Sequence, residues 1–392
     1  MLIQREISAL VAKRATQLPV VAILGPRQSG KTTLARTLFN NHRYVSLEEL
    51  DTQRFATEDP RRFLELYQNP HGIILDEFQR VPSLLSYIQT YVDTHDLKGY
   101  FILTGSQNFL MMEAVSQTLA GRVALCTLLP CSTSELSHAN LLAPTLDEAI
   151  LRGSYPRPLV HNLDPSDWCQ DYIMTYLERD VRLVKNIIDL STFKRFVQLC
   201  AGRVGQLLNL SSLATESGIT VPTAKQWLSV LQASYLIFLV QPHFRNFNKR
   251  LVKTPKLYFY DTALLCTLLG IETASQLGTH YSRGSIVESY VMSDLYKQLL
   301  NRGRNNQLYF WRDSVGHEID CILERADTLV PLEIKAGKTV VSDFFTGITF
   351  WQQLTGMRDA FVVYAGDQTQ KREPATLVSW REIDTIIKQV FS

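Results

Sequence analysis

Residues 25–33 read Gly-Pro-Arg-Gln-Ser-Gly-Lys-Thr-Thr, a loop bounded by two glycines and closed by a lysine and two hydroxyls. An oligophosphate needs several donors converging at close range. Backbone N–H groups approach it only where side chains are absent, which Gly25 and Gly30 allow. Lys31 brings a point charge to the β- and γ-phosphates, and Thr32 offers its hydroxyl to Mg²⁺. A helix starting here aims its positive end at the same anion. Gly25, Pro26, Arg27, Gln28, Ser29, Gly30, Lys31, Thr32 and Thr33 are therefore the candidate ATP-binding residues. The rival reading is a chance glycine-rich turn. Against it, the apolar run 20–24 precedes the loop and leucines at helical spacing follow it in 33–39, the strand and helix that a P-loop joins.

A second cluster follows at His71-Gly-Ile-Ile-Leu-Asp-Glu-Phe78, where an apolar strand ends in Asp76 and Glu77. Two carboxylates at a strand's carboxyl end lie where α/β folds place their ligands. In an ATPase, Asp76 holds Mg²⁺ with Thr32, and Glu77 orients and deprotonates the attacking water. In isolation such a pair is as often the start of a helix; downstream of a P-loop the catalytic reading is the stronger. The run 100–107, Tyr-Phe-Ile-Leu-Thr-Gly-Ser-Gln, is another strand, ending in groups suited to positioning that water, with Ser106 first and Gln107 second. Arg122 stands just before the strand at 123–129. Acting in trans it would be an arginine finger and require a homo-oligomer; as a structural arginine it caps the Leu-Ala-Gly turn.

A third set of candidates lies near the carboxyl end: Glu288, Asp320, Glu333 and Lys335. The pattern there predicts a helix at 285–300, strands at 307–312, 318–324 and 329–335, a helix at 344–354 and a strand at 360–364. Alternation places Glu318 with Asp320 on one face, and likewise Glu333 with Lys335. A hairpin closed by 325–328 sets Asp320 opposite Glu333 and Glu318 opposite Lys335, predicting an ion pair beside a metal. This is the layout of PD-(D/E)XK nucleases, in which Asp320 and Glu333 hold Mg²⁺ or Mn²⁺ and Lys335 activates the hydrolytic water. Alternating charge of this kind otherwise marks a solvated face.

The elements that must position these groups fit a chain of 392 residues with two or more domains. With 40 Lys+Arg against 38 Asp+Glu, any nucleic-acid surface is a local patch. The six scattered cysteines read as reduced core residues of a cytoplasmic protein. Residues 1–17 carry Leu2, Ile3, Ile7, Leu10 and Val11 at helical spacing, which predicts an opening helix rather than a signal peptide. No apolar run is long enough to span a membrane. Residues 135–185 are helical with a break at 152–158 and read as a small lid, where Arg157 and Arg179 are either phosphate contacts or solvated charges. Residues 210–231 have helix-turn-helix spacing around Gly218. A strand at 235–240 and the run 242–256, with five basic residues and no acidic ones, complete a winged-helix pattern. Basic charge interleaved with Phe244 and Phe247 suits a phosphate backbone, with Lys225 and Gln226 as base readers; packing against protein is the competing use.

Taken together, Gly25-Pro-Arg-Gln-Ser-Gly-Lys-Thr-Thr, Leu75-Asp-Glu, Leu103-Thr-Gly-Ser, Leu119-Ala-Gly-Arg, Tyr176-Leu-Glu-Arg-Asp, Tyr260-Asp-Thr and Leu332-Glu-Ile-Lys resemble one family. It is the prokaryotic AAA-type ATPases with a C-terminal PD-(D/E)XK nuclease-like domain of unassigned function. The resemblance implies an α/β chain with an AAA+-like P-loop core, a helical lid, a winged-helix-like middle and a PD-(D/E)XK-like end. Its Walker lysine falls on Lys31, its Walker B pair on Asp76 and Glu77, and its nuclease-like positions on Glu288, Asp320, Glu333 and Lys335. One departure is Arg152-Gly-Ser-Tyr-Pro-Arg157, where relatives carry a Gly-Gly-aromatic-Pro-acidic run. The expected domains are 1–135, 136–185, 186–260 and 261–392. The expected function is an ATP hydrolase acting on nucleic acid, DNA favoured, with a metal-dependent nuclease. The alternative is a nucleotide-driven switch or scaffold whose nuclease-like domain binds a partner without cutting.

Overall fold

The computed structural model describes residues 1–106, 115, 117–176, 189–244, 252–305 and 307–391. Gln107, Arg179 and Phe247 lie outside them. Strands β1 (Val20–Gly25), β2 (Arg43–Ser46), β3 (Ile73–Asp76), β4 (Phe101–Ser106) and β5 (Val123–Thr127) form a parallel sheet in the order β2-β3-β4-β1-β5. Both its faces are covered, so the strands read as unbroken apolar runs. Ala22, Leu24, Leu75 and Leu103 enter one core, while Val21, Ile23, Ile74 and Ile102 enter another. Parallel register sets Gly25 beside Ser106 and Asp76 beside Thr104, collecting the polar strand ends at one edge.

The opening helix runs over Ser8–Ala15 instead of starting at residue 1. Arg5 explains the difference: its buried guanidinium donates to Ser29 O at 2.7 Å and Leu129 O at 2.6 Å, and pairs with Glu135 at 3.1 Å. The preceding residues are thereby drawn along the P-loop, outside the helix. After β2 come two helices, Leu50–Glu58 and Pro60–Leu66, separated where Asp59 caps the second and Pro60 opens it.

Helices Thr133–His138, Leu146–Arg152, Pro156–His161 and Pro165–Tyr176 follow, broken at Gly153–Tyr155 as the sequence suggests. Next come Leu190–Ala201, Leu210–Ser217 and Val221–Ala233, with Gly218 left-handed between the last two. Trp227 of the third helix packs edge-on to Phe193 and Phe196 of the first. Strands β6 (Ile237–Val240) and β7 (Lys256–Phe259) pair antiparallel behind them. One hydrophobic cluster runs from Leu129 to Phe391, so the expected lid, middle and C-terminal regions share a core.

The C-terminal sheet comprises β8 (Leu308–Arg312), β9 (Glu318–Arg325), β10 (Thr328–Lys335), β11 (Phe361–Tyr364), β12 (Gln370–Lys371) and β13 (Thr376–Ser379), ordered β12-β13-β11-β10-β9-β8. The long helix Arg283–Asn301 joins the large cluster through Val287, Val291 and Leu295, while Trp351 of helix Thr346–Thr355 packs with Trp311, Ile322 and Leu329. A buried polar row ties the long helix to the ATPase core. Asp294 accepts from Thr133 N at 2.6 Å, Gln298 donates to Ser134 Oγ at 2.7 Å, and Ser134 donates to Glu6 at 2.6 Å. Among the described residues, no helix is long and apolar enough to cross a membrane, and all six cysteines are buried and free.

Candidate functional site

The P-loop leaves β1 at Gly25 and enters helix Lys31–Leu38 at Gly30, which caps it with φ +96°. Gly25 has φ +152°, and a Cβ there would sit 2.1 Å from Leu128 O, inside the carbonyl of the segment after β5. Only glycine lets these two backbones meet so closely. Lys31 Nζ donates to Pro26 O at 2.7 Å, which arches the side chain across the loop.

Asp76 is held almost wholly by neutral donors. Thr32 Oγ1 lies 3.0 Å from both of its carboxylate oxygens, Tyr44 donates at 2.8 Å, and Thr104 completes the set from β4. Burial and the bond to Asp76 push the Tyr44 hydroxyl up to about 12. A hydroxyl and a carboxylate converging beside a P-loop are hard oxygen donors of the kind Mg²⁺ takes, so Thr32 and Asp76 fit the cation that accompanies ATP. Glu77 follows in the left-handed region, φ 54°, an uncommon conformation for glutamate.

Gln79 ties the remaining groups together. Its amide donates to the Glu77 carboxylate and to Ser106 Oγ at 3.1 Å, so Glu77 and Ser106 are held by one side chain. The site opens into a cleft of about 1030 Å³ between the P-loop and helices Pro156–His161 and Pro165–Tyr176. Arg27, Lys31, Thr32 and Glu77 line one wall, and the exposed Arg157 lies on the other.

Arg122 is elsewhere. It precedes β5 beside the start of β1, the sheet edge opposite the P-loop, and forms a double hydrogen bond with Asp93 at 2.5 and 2.9 Å. A strand length of about 20 Å separates it from its own P-loop, so any role at a γ-phosphate would be in trans.

The C-terminal residues also come together. The β9–β10 register pairs Leu332 with Cys321, and its next step sets Glu333 across from Asp320, as expected. The ion pairing differs from the expectation: Lys335 binds Glu333 at 2.7 Å, whereas Glu318 pairs with Lys256 and, at 3.0 Å, with Arg312. Glu288 accepts from Lys256 at 2.9 Å and Tyr258 at 2.5 Å, and Asp320 accepts from Ile334 N at 2.8 Å. Burial pushes Glu288 up to about 7 against the pull of Lys256. Burial with Asp320 beside it pushes Glu333 up to about 8. Among the described residues, no group of three or more His, Cys, Asp or Glu side chains is arranged to hold a metal ion.

The basic run also needs correction. Lys256 is 3% exposed and turned inward onto carboxylates, not outward to a phosphate backbone. Residues 245–251 lie outside the described residues; Phe244 is 69% exposed and Lys253 exposed. Lys225 is exposed on helix Val221–Ala233 and Gln226 half-buried. Sequence reasoning missed Tyr44, Gln79, Thr104, Arg5 and the inward role of Lys256. Only Thr104, next to Gly105-Ser106, carried a local signal.

The geometry can be set beside known proteins. Residues 17–137 match the AAA domain family, and 143–275 and 283–386 match two domains of unknown function, DUF8612 and DUF4143. A Walker-type ATPase of Pyrococcus abyssi is 16% identical, with a TM-score of 0.46, covering 68% of this chain and 96% of that one. The uncharacterized proteins Rv2008c of Mycobacterium tuberculosis and Mb2031c of Mycobacterium bovis are each 32% identical over 345 residues, 86% of this chain and 75% of theirs. Its P-loop core is thus that of an AAA-type ATPase, and the chain belongs to the family of these mycobacterial proteins.

Proposed function

We propose that the chain is a Mg²⁺-dependent ATP hydrolase that couples its cycle to nucleic acid, DNA favoured. The observation that carries the reading is the convergence of Lys31, Thr32, Asp76 and Glu77 at one sheet edge, where Lys31, Thr32 and Glu77 line a cleft large enough for a nucleotide. Lys31 and the loop amides bind the phosphates, Thr32 and Asp76 hold the ion, and Glu77 takes the proton of the attacking water. Bound Mg²⁺ supplies charge neutralisation at the phosphates. Gln79 fixes Glu77 and Ser106, Ser106 positions the attacking water, and Arg122 completes the site of a neighbouring copy.

Residues 1–135 act as the ATPase core, 136–185 as its lid, 186–260 as a winged-helix-like binder and 261–392 as a PD-(D/E)XK-like domain. The helix-turn-helix geometry and the exposed Lys225, Lys253 and Phe244 support the nucleic-acid assignment. For the last domain the first reading is a metal-dependent nuclease using Glu288, Asp320, Glu333 and Lys335. The second, a non-cutting partner-binding domain, is favoured by the cations already paired with its acids.

The test is ATP turnover by wild type and Glu77→Gln, with and without single- and double-stranded DNA and RNA. Stimulation by a nucleic acid, abolished in Glu77→Gln, supports the reading. A folded wild type with no affinity for ATP overturns it. A cleavage assay with Mg²⁺ or Mn²⁺ on wild type and Lys335→Ala separates the two readings of the last domain.

A further inference from the structure

In the nuclease layout a divalent cation is held by the carboxylates that here are Asp320 and Glu333, with Glu288 on the helix beside them, and Glu318 stands two residues before Asp320 on β9. Lys256 reaches that place from β7. Its Nζ is 2.9 Å from Glu288, pairs also with Glu318, and lies 5.5 Å above the Phe310 ring. Each other acid has its own donor: Arg312 for Glu318, Lys335 for Glu333, Ile334 N for Asp320. The residues therefore do not fit a divalent ion. The positive charge that a divalent ion would bring is supplied by Lys256, Arg312 and Lys335, and one oxygen each of Glu288, Asp320 and Glu333 and both of Glu318 already face a donor.

We propose that Lys256 is the resident cation of this site, a covalently tethered substitute for the metal, and that the C-terminal domain operates without a divalent ion. Position favours permanence. Lys256 is 3% exposed, and its backbone is fixed on both sides, pairing with Val240 in β6 and bridging to Leu207. Burial alone would discharge an ammonium here, and Glu288, Glu318 and Asp320 more than reverse that, holding it charged. A buried lysine facing several acids stays bound because removing it would leave uncompensated carboxylates. The consequence is a clamp: one side chain joins the β6–β7 hairpin behind the helix-turn-helix, the long helix Arg283–Asn301 through Glu288, and β9 through Glu318.

The inference rests on the nuclease-like reading of the fold, and its test does not depend on finding cleavage. Full-length protein without nucleotide is titrated with Mn²⁺, bound ion being counted by electron paramagnetic resonance and stability followed by thermal melting. Wild type and Lys256→Arg are expected to bind no Mn²⁺ that Asp320→Asn removes, and to melt at the same temperature with or without the ion. Lys256→Ala is expected to melt lower and to gain a Mn²⁺ site at least about a hundredfold tighter than the wild-type detection limit, the scale of removing one unit charge a few ångströms from the ion. That gain is lost when Asp320→Asn is added. A wild-type Mn²⁺ site abolished by Asp320→Asn overturns the proposal, as does a folded Lys256→Ala that gains none. Should Lys256→Ala fail to fold, the wild-type and Lys256→Arg titrations decide alone. Failure of ATP turnover leaves these readings untouched, so the two proposals fall separately.

Discussion

The P-loop site and the C-terminal acidic site draw on the same residue types, acids and a lysine, yet they differ in what the acids touch. Asp76 is held by Thr32, Tyr44 and Thr104, neutral hydroxyls that leave its charge uncancelled. Glu288, Glu318 and Glu333 are met by the cations Lys256, Arg312 and Lys335. A carboxylate solvated by hydroxyls still attracts an incoming cation; one already paired with an ammonium does so only after losing a partner. The identity of the neighbours, more than the presence of acids, separates a site prepared for a metal from one that has replaced it.

Breaking the contrast on the P-loop side should give the largest effects. Glu77→Gln should keep ATP affinity, measured by calorimetry, and lower turnover by about 10²–10⁴-fold, the usual worth of a general base. Unchanged turnover would remove Glu77 from the base role. Lys31→Ala should weaken ATP binding by roughly a hundredfold, as a charge-assisted bond of about 1.5–3 kcal/mol is lost. Gly25→Ala drives a methyl to 2.1 Å from Leu128 O and should cost about 3 kcal/mol of stability in urea unfolding; a loss under about 1 kcal/mol would mean that the two backbones can part easily.

Smaller effects sharpen the comparison. Gln79→Ala frees both Glu77 and Ser106 and should lower turnover about tenfold with nucleotide affinity retained, the scale of one lost hydrogen bond. Affinity and turnover falling together would make Gln79 structural. Lys335→Ala, distant from the P-loop, should leave ATP turnover within about twofold. A larger drop would show that the two sites are energetically joined.

The P-loop and the Asp76-Glu77 pair were legible because each is a short stretch whose residue order states its geometry. The β9–β10 register was equally open, since alternation and a four-residue turn fix it. Tyr44 and Gln79 were not, because their partners lie on other elements: Tyr44 meets Asp76 only when β2 pairs with β3, and Gln79, just past β3, reaches Ser106 at the end of β4. Lys256 was misread for the same reason. Its basic neighbours suggested an exposed run, and nothing local revealed that β7 turns it inward, although Leu257, Tyr258 and Phe259 after it are all buried. Arg5 likewise sits in a segment whose spacing looked helical until its guanidinium found Ser29 O.

Helix Arg283–Asn301 is a rod of about 28 Å, carrying Glu288 against the Lys256 clamp near one end and Gln298 against Ser134 near the other. Severing the molecule between the AAA domain and the remainder would therefore wet a seam built to stay dry. Asp294 and Gln298 would lose Thr133 and Ser134 on one fragment, and Glu135 would lose nothing but its companions' shelter on the other. Dissection into separately purified halves should yield sticky, poorly behaved pieces, while truncations that keep both ends of the rod should remain tractable.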